Sequence, residues 1–567
     1  MKKENFLLIA ILVLAAVLRL WNLTVPDLMT DDAVYSLRAL GWVDYLASTA
    51  QTTPLQWFGS IPTWANLSFH DAPPLVFLIQ HLFFFIFGDN LLGARLPFVF
   101  FGVGTVYLVY LLVKSLKSAA AGLLAALILA IFSLHIWISH LGFLEGVEIF
   151  FITLTVFFLV KFSQTKQKKF LYLLALSLGL TFLTKYTAFF LLPVILLYFL
   201  FFEKGIFKTK AFWLSVLFFI LVISPVIIYN SMVFATRGHF DAALSSMVGM
   251  HPTDFQNLIN RAPGGNPLIN LSNLIKELFS LVSWPMLGLS FIAFLFLLVR
   301  LIVKKEIDKR GDILILASFI LCLVFLSLGR LSSAHFLSLL TPWLAIILAL
   351  AVFGLVDFLA VKWLNYAKKL VVVLLILVLG FELFYGINSH FLSPSLSFNP
   401  LVYSAATPHL NENLGFNQLD QYLRQNVFPQ NLVFSRSITT EDYTSKIAEN
   451  FFKIKTFYFI DEAVHWFAYT WYFAHYQLYY SLPIGSLYNA FKTAGGEDPI
   501  AMMRQQGIEN FYFIYPVLDS AVDPTKNNQP SRQISIDFAK TLEERGIQPV
   551  EIKNHSGQVA FKVYKFN

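Results

Sequence analysis

The sequence predicts a polytopic α-helical membrane protein of about eleven transmembrane helices, with juxtamembrane helices and a small C-terminal α/β domain. Three observations carry this. Of 567 residues, 57% are hydrophobic and 13% charged, whereas soluble domains carry about 25% charged residues. Phenylalanine alone supplies 60 positions and, with Leu, Ile and Val, fills runs long enough to cross about 30 Å of hydrocarbon. After about residue 390 these runs give way to mixed polar and aromatic sequence.

The chain starts Met1-Lys2-Lys3-Glu4 and enters an apolar run from Phe6 to Leu18. No small-residue cleavage pattern follows, so the run reads as an uncleaved first helix. Basic residues cluster at Lys2-Lys3, Lys114/Lys117, Lys161 to Lys169, Lys204 to Lys210, Arg300 to Arg310 and Lys362 to Lys369. Cytoplasmic loops are enriched in Lys and Arg. Placing all six clusters there gives spans near 5–23, 96–113, 119–138, 146–161, 170–184, 187–202, 211–230, 274–303, 312–329, 336–360 and 369–388. The N-terminus is then cytoplasmic and the tail extracytoplasmic, in a plasma membrane. The apolar segment Pro73 to Phe87 is too short for this scheme and reads as a juxtamembrane helix. The net charge of +7 is absorbed by the cytoplasmic loops, so it reports topology and not nucleic-acid binding. The single cysteine, Cys322, excludes an internal disulfide framework.

Residues 1–390 form the predicted membrane domain and 391–567 the predicted extracytoplasmic domain. In the latter, Leu419 to Arg424 is helix-like and leads to the apolar run Leu432 to Phe434. Phe457 to Ile460 and Phe511 to Ile514 are strand-like, and an aromatic helix runs through Trp466 and Trp471. Pro549 to Ile552 and Val559 to Tyr564, flanking Asn554 to Gly557, read as a hairpin. About 175 residues suffice for an independent core. No P-loop, dinucleotide fingerprint or zinc-ligand spacing occurs.

Chemistry concentrates at the outward ends of the spans. Asp31-Asp32 follows the first helix. An acidic pair at a membrane face holds a divalent cation or activates a hydroxyl as general base; the alternative is a helix N-cap. His70-Asp71 precedes Pro73-Pro74, whose rings fix the start of the juxtamembrane helix. Arg95 enters the second span, as a substrate ligand or as a snorkelling anchor. Glu145 stands at an outward helix end, where a carboxylate is costly unless paired or functional; the alternative is a solvated loop glutamate. Lys185 and Tyr186 interrupt an apolar stretch, and Arg330 and His335 form a second outward basic site. With Arg95, these cations suit an anionic phosphate at the interface; the alternative for each is an interfacial anchor.

In order and spacing these residues resemble the GT-C membrane glycosyltransferases, specifically the protein O-mannosyltransferase and lipid A aminoarabinose transferase group (glycosyltransferase family 39-like). The matching elements are Arg19-Leu20, Asp31-Asp32, Pro73-Pro74-Leu75, Arg95-Leu96-Pro97, Glu145, Thr184-Lys185-Tyr186, and His335 with Leu339-Leu340-Thr341-Pro342. They cover roughly residues 5–390. Where that family carries Asp-Glu in its first outward loop, this chain has Asp31-Asp32, and where the family commonly has a later Asp, this chain has Glu145. The resemblance implies transfer of one sugar, with inversion, from a polyprenyl-phosphate donor to a protein, lipid or glycan acceptor on the outer face. It implies Asp31, Asp32 and Glu145 as catalytic residues, with Asp31 the preferred base. It further implies His70, Asp71, Arg95, Lys185, Tyr186, Arg330 and His335 as substrate ligands. A divalent cation at Asp31 and Asp32 is optional, because the leaving group is already a phosphate.

Competing readings are a transporter or lipid-linked sugar flippase, a scaffold, and an oligosaccharyltransferase-like enzyme. The transporter reading expects internal repeats and ionisable residues at helix midpoints, whereas the acidic candidates here sit at outward helix ends.

Overall fold

The computed structural model describes residues 3–42, 57–59, 72–253, 266–303, 309–361, 365–392, 397–398, 401–402, 404–407, 412–435 and 440–567. The membrane part is built in chain order from α1 (Lys3–Leu20), α2 (Asp31–Gly41), α3 (Leu75–Phe87), α4 (Leu91–Leu116), α5 (Ala119–Ile131), α6 (Ser133–His140), α7 (Leu144–Thr165) and α8 (Lys168–Phe182). A 3-10 turn at Tyr186–Phe190 leads to α9 (Leu191–Phe202), α10 (Lys210–Val222), α11 (Ser224–Arg237), α12 (Ala242–Met247), α13 (Pro267–Leu281) and α14 (Trp284–Val303). Then come α15 (Arg310–Leu328), a single turn α16 (Ala334–Leu337), α17 (Thr341–Val361) and α18 (Asn365–His390).

Among the described residues, six helical segments are long and apolar enough to cross a membrane, or eight when the bent pairs α5–α6 and α10–α11 each count as one. Their outer faces are apolar, as for Phe100, Trp213, Phe291 and Leu377, all exposed. In water that exposure would be unfavourable, whereas lipid accepts it.

Three expected spans are interrupted. The 119–138 segment bends by 63° at Phe132, and the 211–230 segment bends by 58° where Ser224-Pro225 starts a new helix. The 274–303 segment is two helices, α13 and α14, parted at Val282-Ser283. Broken backbone in a membrane needs replacement partners, and the Phe132 break has them. Arg19 donates to the carbonyls of Leu129 (3.3 Å) and Ala130 (3.0 Å) at the end of α5. Glu382 accepts from the amide of Ser133 (2.9 Å) at the start of α6 and from the Ser283 hydroxyl.

Call the end of the bundle carrying residues 21–42 the loop face. At the opposite end Lys114 pairs with Glu4 (2.6 Å), Lys117 with Asp357 (2.6 Å), and Lys166 and Arg310 with Glu203. Gln164 donates to the Ser115 carbonyl and links these pairs. Members of three basic clusters therefore share one end.

After α18 the chain forms α19 (Phe416–Tyr422, running on to Val427), α20 (Thr440–Ile454), β1 (Thr456–Ile460), then α21 (Trp466–Tyr469), which continues through 470–474 into α22 (His475–Tyr480). Next are β2 (Ile484–Ser486), α23 (Leu487–Thr493), α24 (Pro499–Gln505), β3 (Asn510–Pro516), α25 (Pro530–Glu544), β4 (Val550–Lys553) and β5 (Val559–Phe566). The sheet order is β2-β1-β3-β5-β4, with β1 parallel to β2 and β3, and β5 antiparallel to β3 and β4. Side-chain alternation divides its faces. Phe459, Phe511, Phe513, Tyr564 and Phe566 join Leu542 and Ala539 of α25 on one face.

The other face is where the independent-core expectation fails. Tyr458, Ile460, Ile514, Phe561 and Val563 share one continuous apolar cluster with α2, α3, α4 and α7. The aromatic helix 466–480 makes the join. Tyr479 donates to the Leu37 carbonyl (2.6 Å), the Leu28 amide donates to Tyr472 (3.0 Å), and Trp471 stacks on Phe84 at 5.9 Å. These pairings run the aromatic helix in the same direction as the segment from Leu28 into α2. Asp89, before α4, accepts from Tyr480 (2.6 Å) and Arg424 (3.2 Å).

Gly41 permits this contact, because a Cβ there would overlap the buried ring of Tyr479. Gly41→Ala is therefore expected to destabilise the folded chain by roughly 1–3 kcal/mol and to lower the thermal midpoint. Tyr479→Phe, which loses a hydrogen bond, is expected to cost about 1 kcal/mol. Thermal unfolding in nanodiscs reads both.

Candidate active site

The first loop owes its shape to one side chain. Arg95, one turn into α4 and fully buried, donates to the carbonyls of Leu23 (3.2 Å), Pro26 (2.8 Å) and Asp27 (3.0 Å) and to Asp32 Oδ2 (3.0 Å). It is neither a snorkelling anchor nor open to a ligand. The carbonyls of Leu23, Pro26 and Asp27 converge on it because no helix or sheet satisfies them.

Thr30, not an aspartate, is the N-cap residue of α2, so Asp31 and Asp32 are its first two helical residues, where the helix dipole favours negative charge. Asp32 Oδ1 accepts from the amide (3.2 Å) and hydroxyl (2.7 Å) of Thr30. With Oδ2 on Arg95, its carboxylate is committed to structure, which corrects the expectation of a catalytic role. Asp31 differs: it is half-buried, and among the described residues its carboxylate has no hydrogen-bond or ion-pair partner. Burial raises its pKa. His335 and Lys185 nearby act against that rise, and Glu145 and Asp32 add to it.

Glu145 enters from the α6–α7 connection, which passes close under α2: a Cβ on Gly142 would lie 2.9 Å from Asp32 Cβ. Glu145 is fully buried in the first turn of α7, and its Oε1 accepts from Lys185 and lies 2.7 Å from His335 Nδ1. Its Oε2 is buried without a hydrogen-bond partner among the described residues. His335 stacks on Phe143 at 5.5 Å, and Lys185 lies 4.5 Å from the Phe336 ring centroid. Both side chains keep some exposure, 16% for each. The amide of Leu75 donates to the Leu183 carbonyl (3.0 Å), so the double proline starts α3 beside this cluster.

Asp31, Glu145, Lys185 and His335 thus meet at the loop face. Tyr186 turns away: buried, it donates to Asp241 (2.6 Å) within a knot that includes Asn230, so the expected substrate contact is replaced by a structural one. Arg330 is exposed at the end of α15 with φ 54°, and among the described residues its side chain makes no ion pair with the cluster. His70 and Asp71 lie outside the described residues.

Sequence reasoning missed Glu148, fully buried one turn beyond Glu145 and accepting from the Thr187 hydroxyl. Its i+3 spacing from Glu145 was the available signal. It also missed Asp27, whose carboxylate accepts from the amides of Leu414 (2.6 Å) and Asn417 (2.9 Å). Burial raises Asp27 to about 6, against the lowering effect of these bonds. With Asp32 committed to Arg95, the acidic pair does not offer two free carboxylates to a cation. Among the described residues no three His, Cys, Asp or Glu side chains are arranged to hold a metal.

Residues 71–229 match the family profile described as dolichyl-phosphate-mannose-protein mannosyltransferase, a segment containing Arg95, Glu145, Lys185 and Tyr186. ArnT from Cupriavidus metallidurans superposes with a TM-score of 0.52 at 12% identity, covering 99% of this chain and 98% of that one. The fold is that of a GT-C membrane glycosyltransferase.

This bears out the resemblance to the protein O-mannosyltransferase and aminoarabinose transferase group. ArnT solved with undecaprenyl phosphate matches equally, at TM-score 0.52 and 13% identity over 98% and 97% of the two chains. The oligosaccharyltransferase of Archaeoglobus fulgidus has the GT-C fold too, with TM-score 0.52 and 14% identity over 99% of this chain and 74% of that one. Among curated proteins, YycA of Bacillus subtilis (strain 168), which carries a provisional mannosyltransferase description, is 32% identical over 143 residues. That stretch is 25% of this chain, and the chain spans about a fifth (21%) of the relative's length.

Removing Arg95 would leave Asp32 buried without its counter-charge. Arg95→Met is expected to destabilise by about 3–5 kcal/mol, and Arg95→Lys to recover part of this, since an ammonium has fewer and less fixed donors. Thermal unfolding of both variants checks the expectation.

Proposed function

We propose that this chain transfers a single sugar from a polyprenyl-phosphate-linked donor to an acceptor hydroxyl on the outer face of a plasma membrane, with inversion. The observation that carries the proposal is Asp31: a half-buried carboxylate with no partner among the described residues, set beside Lys185 and His335 at the bundle's loop face. The mannosyltransferase family match supports a single-sugar reading over transfer of a whole glycan.

In this reading eleven crossings are made by adding α1, α8 and α9 with its preceding 3-10 turn to the eight longer or bent spans. The basic end is cytoplasmic, and the loop face is outside. The donor's isoprenoid tail stays among lipids while its phosphate sits at the loop face. Asp31 takes the acceptor's hydroxyl proton as that oxygen bonds to the anomeric carbon, and the bond from that carbon to the phosphate oxygen breaks. Lys185 and His335 stabilise the departing phosphate, and Glu145 positions both through its shared oxygen. No metal enters these steps.

Asp31→Asn keeps the shape of the side chain and removes its basicity. Transfer from radiolabelled polyprenyl-phosphate sugars in nanodiscs is expected to fall at least 100-fold, the order of general-base catalysis, with unfolding unchanged. Retained turnover would remove Asp31 from the mechanism. Absence of donor binding or turnover in the wild type would favour the transporter.

A base must be ionised to act. Because burial raises the pKa of Asp31, activity is expected to fall on acidification, with the acid limb of kcat/KM above the ordinary carboxylate value of about 3.9. An acid limb at or below that value would count against Asp31 as the base.

A further inference from the structure

The C-terminal region contains a groove of about 760 Å³, within the range of about 300–1,000 Å³ that encloses small organic ligands. It lies away from the Asp31 cluster, and the transfer reaction as described makes no use of it. One wall is aromatic. Trp466 and Tyr469, three residues apart on α21, both face the groove. Trp466 is 37% exposed, its far side braced edge-on by Phe467 at 4.8 Å. Tyr469 is held by a hydrogen bond from its hydroxyl to Gln477 (2.9 Å).

The wall formed by α23 and α24 is mixed, with three polar side chains set among Ala490, Ala494, Met502 and Met503. Asn489 and Thr493 of α23 and Gln506 after α24 line it. Among the described residues the side chains of these three make no intramolecular hydrogen bond. Glu462 lies at one end, with one carboxylate oxygen accepting from Ser486 (3.2 Å).

A flat apolar ring opposite groups that both donate and accept fits a molecule with one apolar C–H face and a rim of hydroxyls. That molecule is a sugar. An extended peptide is disfavoured by the sheet edge. β2 is the edge strand beside the groove, but its outward groups are already used. The Ile484 amide donates to Leu482 (2.9 Å), the Ile484 carbonyl accepts from Gln477, and Ser486 ends the strand by capping α23. No free edge remains there for strand addition. A lipid tail would leave Asn489, Thr493 and Gln506 without partners.

We propose that this groove is a carbohydrate-binding site, which holds the saccharide part of a glycan acceptor. Its role as an acceptor site rests on the transferase reading; its binding of sugar does not. The link between them is the aromatic helix itself, because Trp466 and Tyr469 face the groove while Tyr472 and Tyr479 of the same helix hold Leu28 and Leu37, either side of Asp31.

The test is equilibrium binding, without donor, of tritiated linear trisaccharides of mannose, glucose, galactose and N-acetylglucosamine to the full chain in nanodiscs. At least one is expected to bind. Affinity is expected to fall tenfold or more in Trp466→Ala and severalfold in Asn489→Ala, and to be largely kept in Trp466→Phe. Asn489 is exposed on α23, so its variant reads the site even if loss of the indole disturbs the fold. Binding of none of the trisaccharides, or equal binding by wild type, Trp466→Ala and Asn489→Ala, overturns the proposal. Because donor turnover is measured separately, either result leaves the transferase reading to its own test.

Discussion

The guanidinium of Arg95 is the constraint on which the rest is hung. A membrane helix delivers it into a loop that has no regular backbone pairing, and its fork of donors collects three carbonyls and one carboxylate within 3.2 Å. Lysine would present a point charge with no fixed plane. Three things follow from the geometry. The loop cannot drift, the start of α2 is held above the α6–α7 connection, and the Asp27 side chain is turned towards residues 413–417. The last makes the loop the seat of the C-terminal region, which then closes over α2 through the aromatic helix. One buried charge thus connects the membrane bundle, the candidate active site and the sheet.

The helix break at Phe132 obeys the same electrostatics at greater depth. The end of α5 exposes carbonyls and the start of α6 exposes amides, so the break has a negative and a positive side. Arg19 meets the first and Glu382 the second. Each charge has a counterpart in backbone dipoles rather than in a formal ion pair, which is how an arginine and a glutamate, both fully buried, coexist with an apolar core. The bend redirects the chain towards Gly142 and Glu145, so a membrane-interior cost is offset where it places a carboxylate at the loop face.

Local signals made much of this legible. Long apolar runs marked the spans, the double proline marked the start of α3, and alternating aromatics marked β1, β3 and the closing hairpin. Asp31, Glu145, Lys185 and His335 were singled out one by one from charges at helix ends, and the structure brings these four together. What sequence could not give was partnership over distance. Nothing local to Asp32 indicates that Arg95 will consume it, nor that Tyr186 will turn to Asp241. Tyr479 and Leu37 are 442 residues apart, so the shared core of the two regions was invisible to a reading by segments. The breaks at Phe132 and Val282 were hidden because hydropathy runs through them uninterrupted.

The carboxylates of the site differ in what neutralises them, and that difference distributes the work. Asp32 has Arg95, Glu145 has Lys185 and His335, and Glu148 has a neutral hydroxyl from Thr187. Among the described residues Asp31 has the start of its own helix and two basic side chains, Lys185 and His335, that bind another residue. A carboxylate left in that condition can take up a proton without giving up a contact, whereas protonating Asp32 or Glu145 would weaken an existing ion pair. Lys185 and His335, meanwhile, share a single oxygen of Glu145. Neither is so firmly enclosed that an arriving phosphate could not approach it, since each side chain retains exposure. A phosphate bound there would also raise the negative charge facing Asp31, pushing its pKa further upward and strengthening it as a base when the donor is in place.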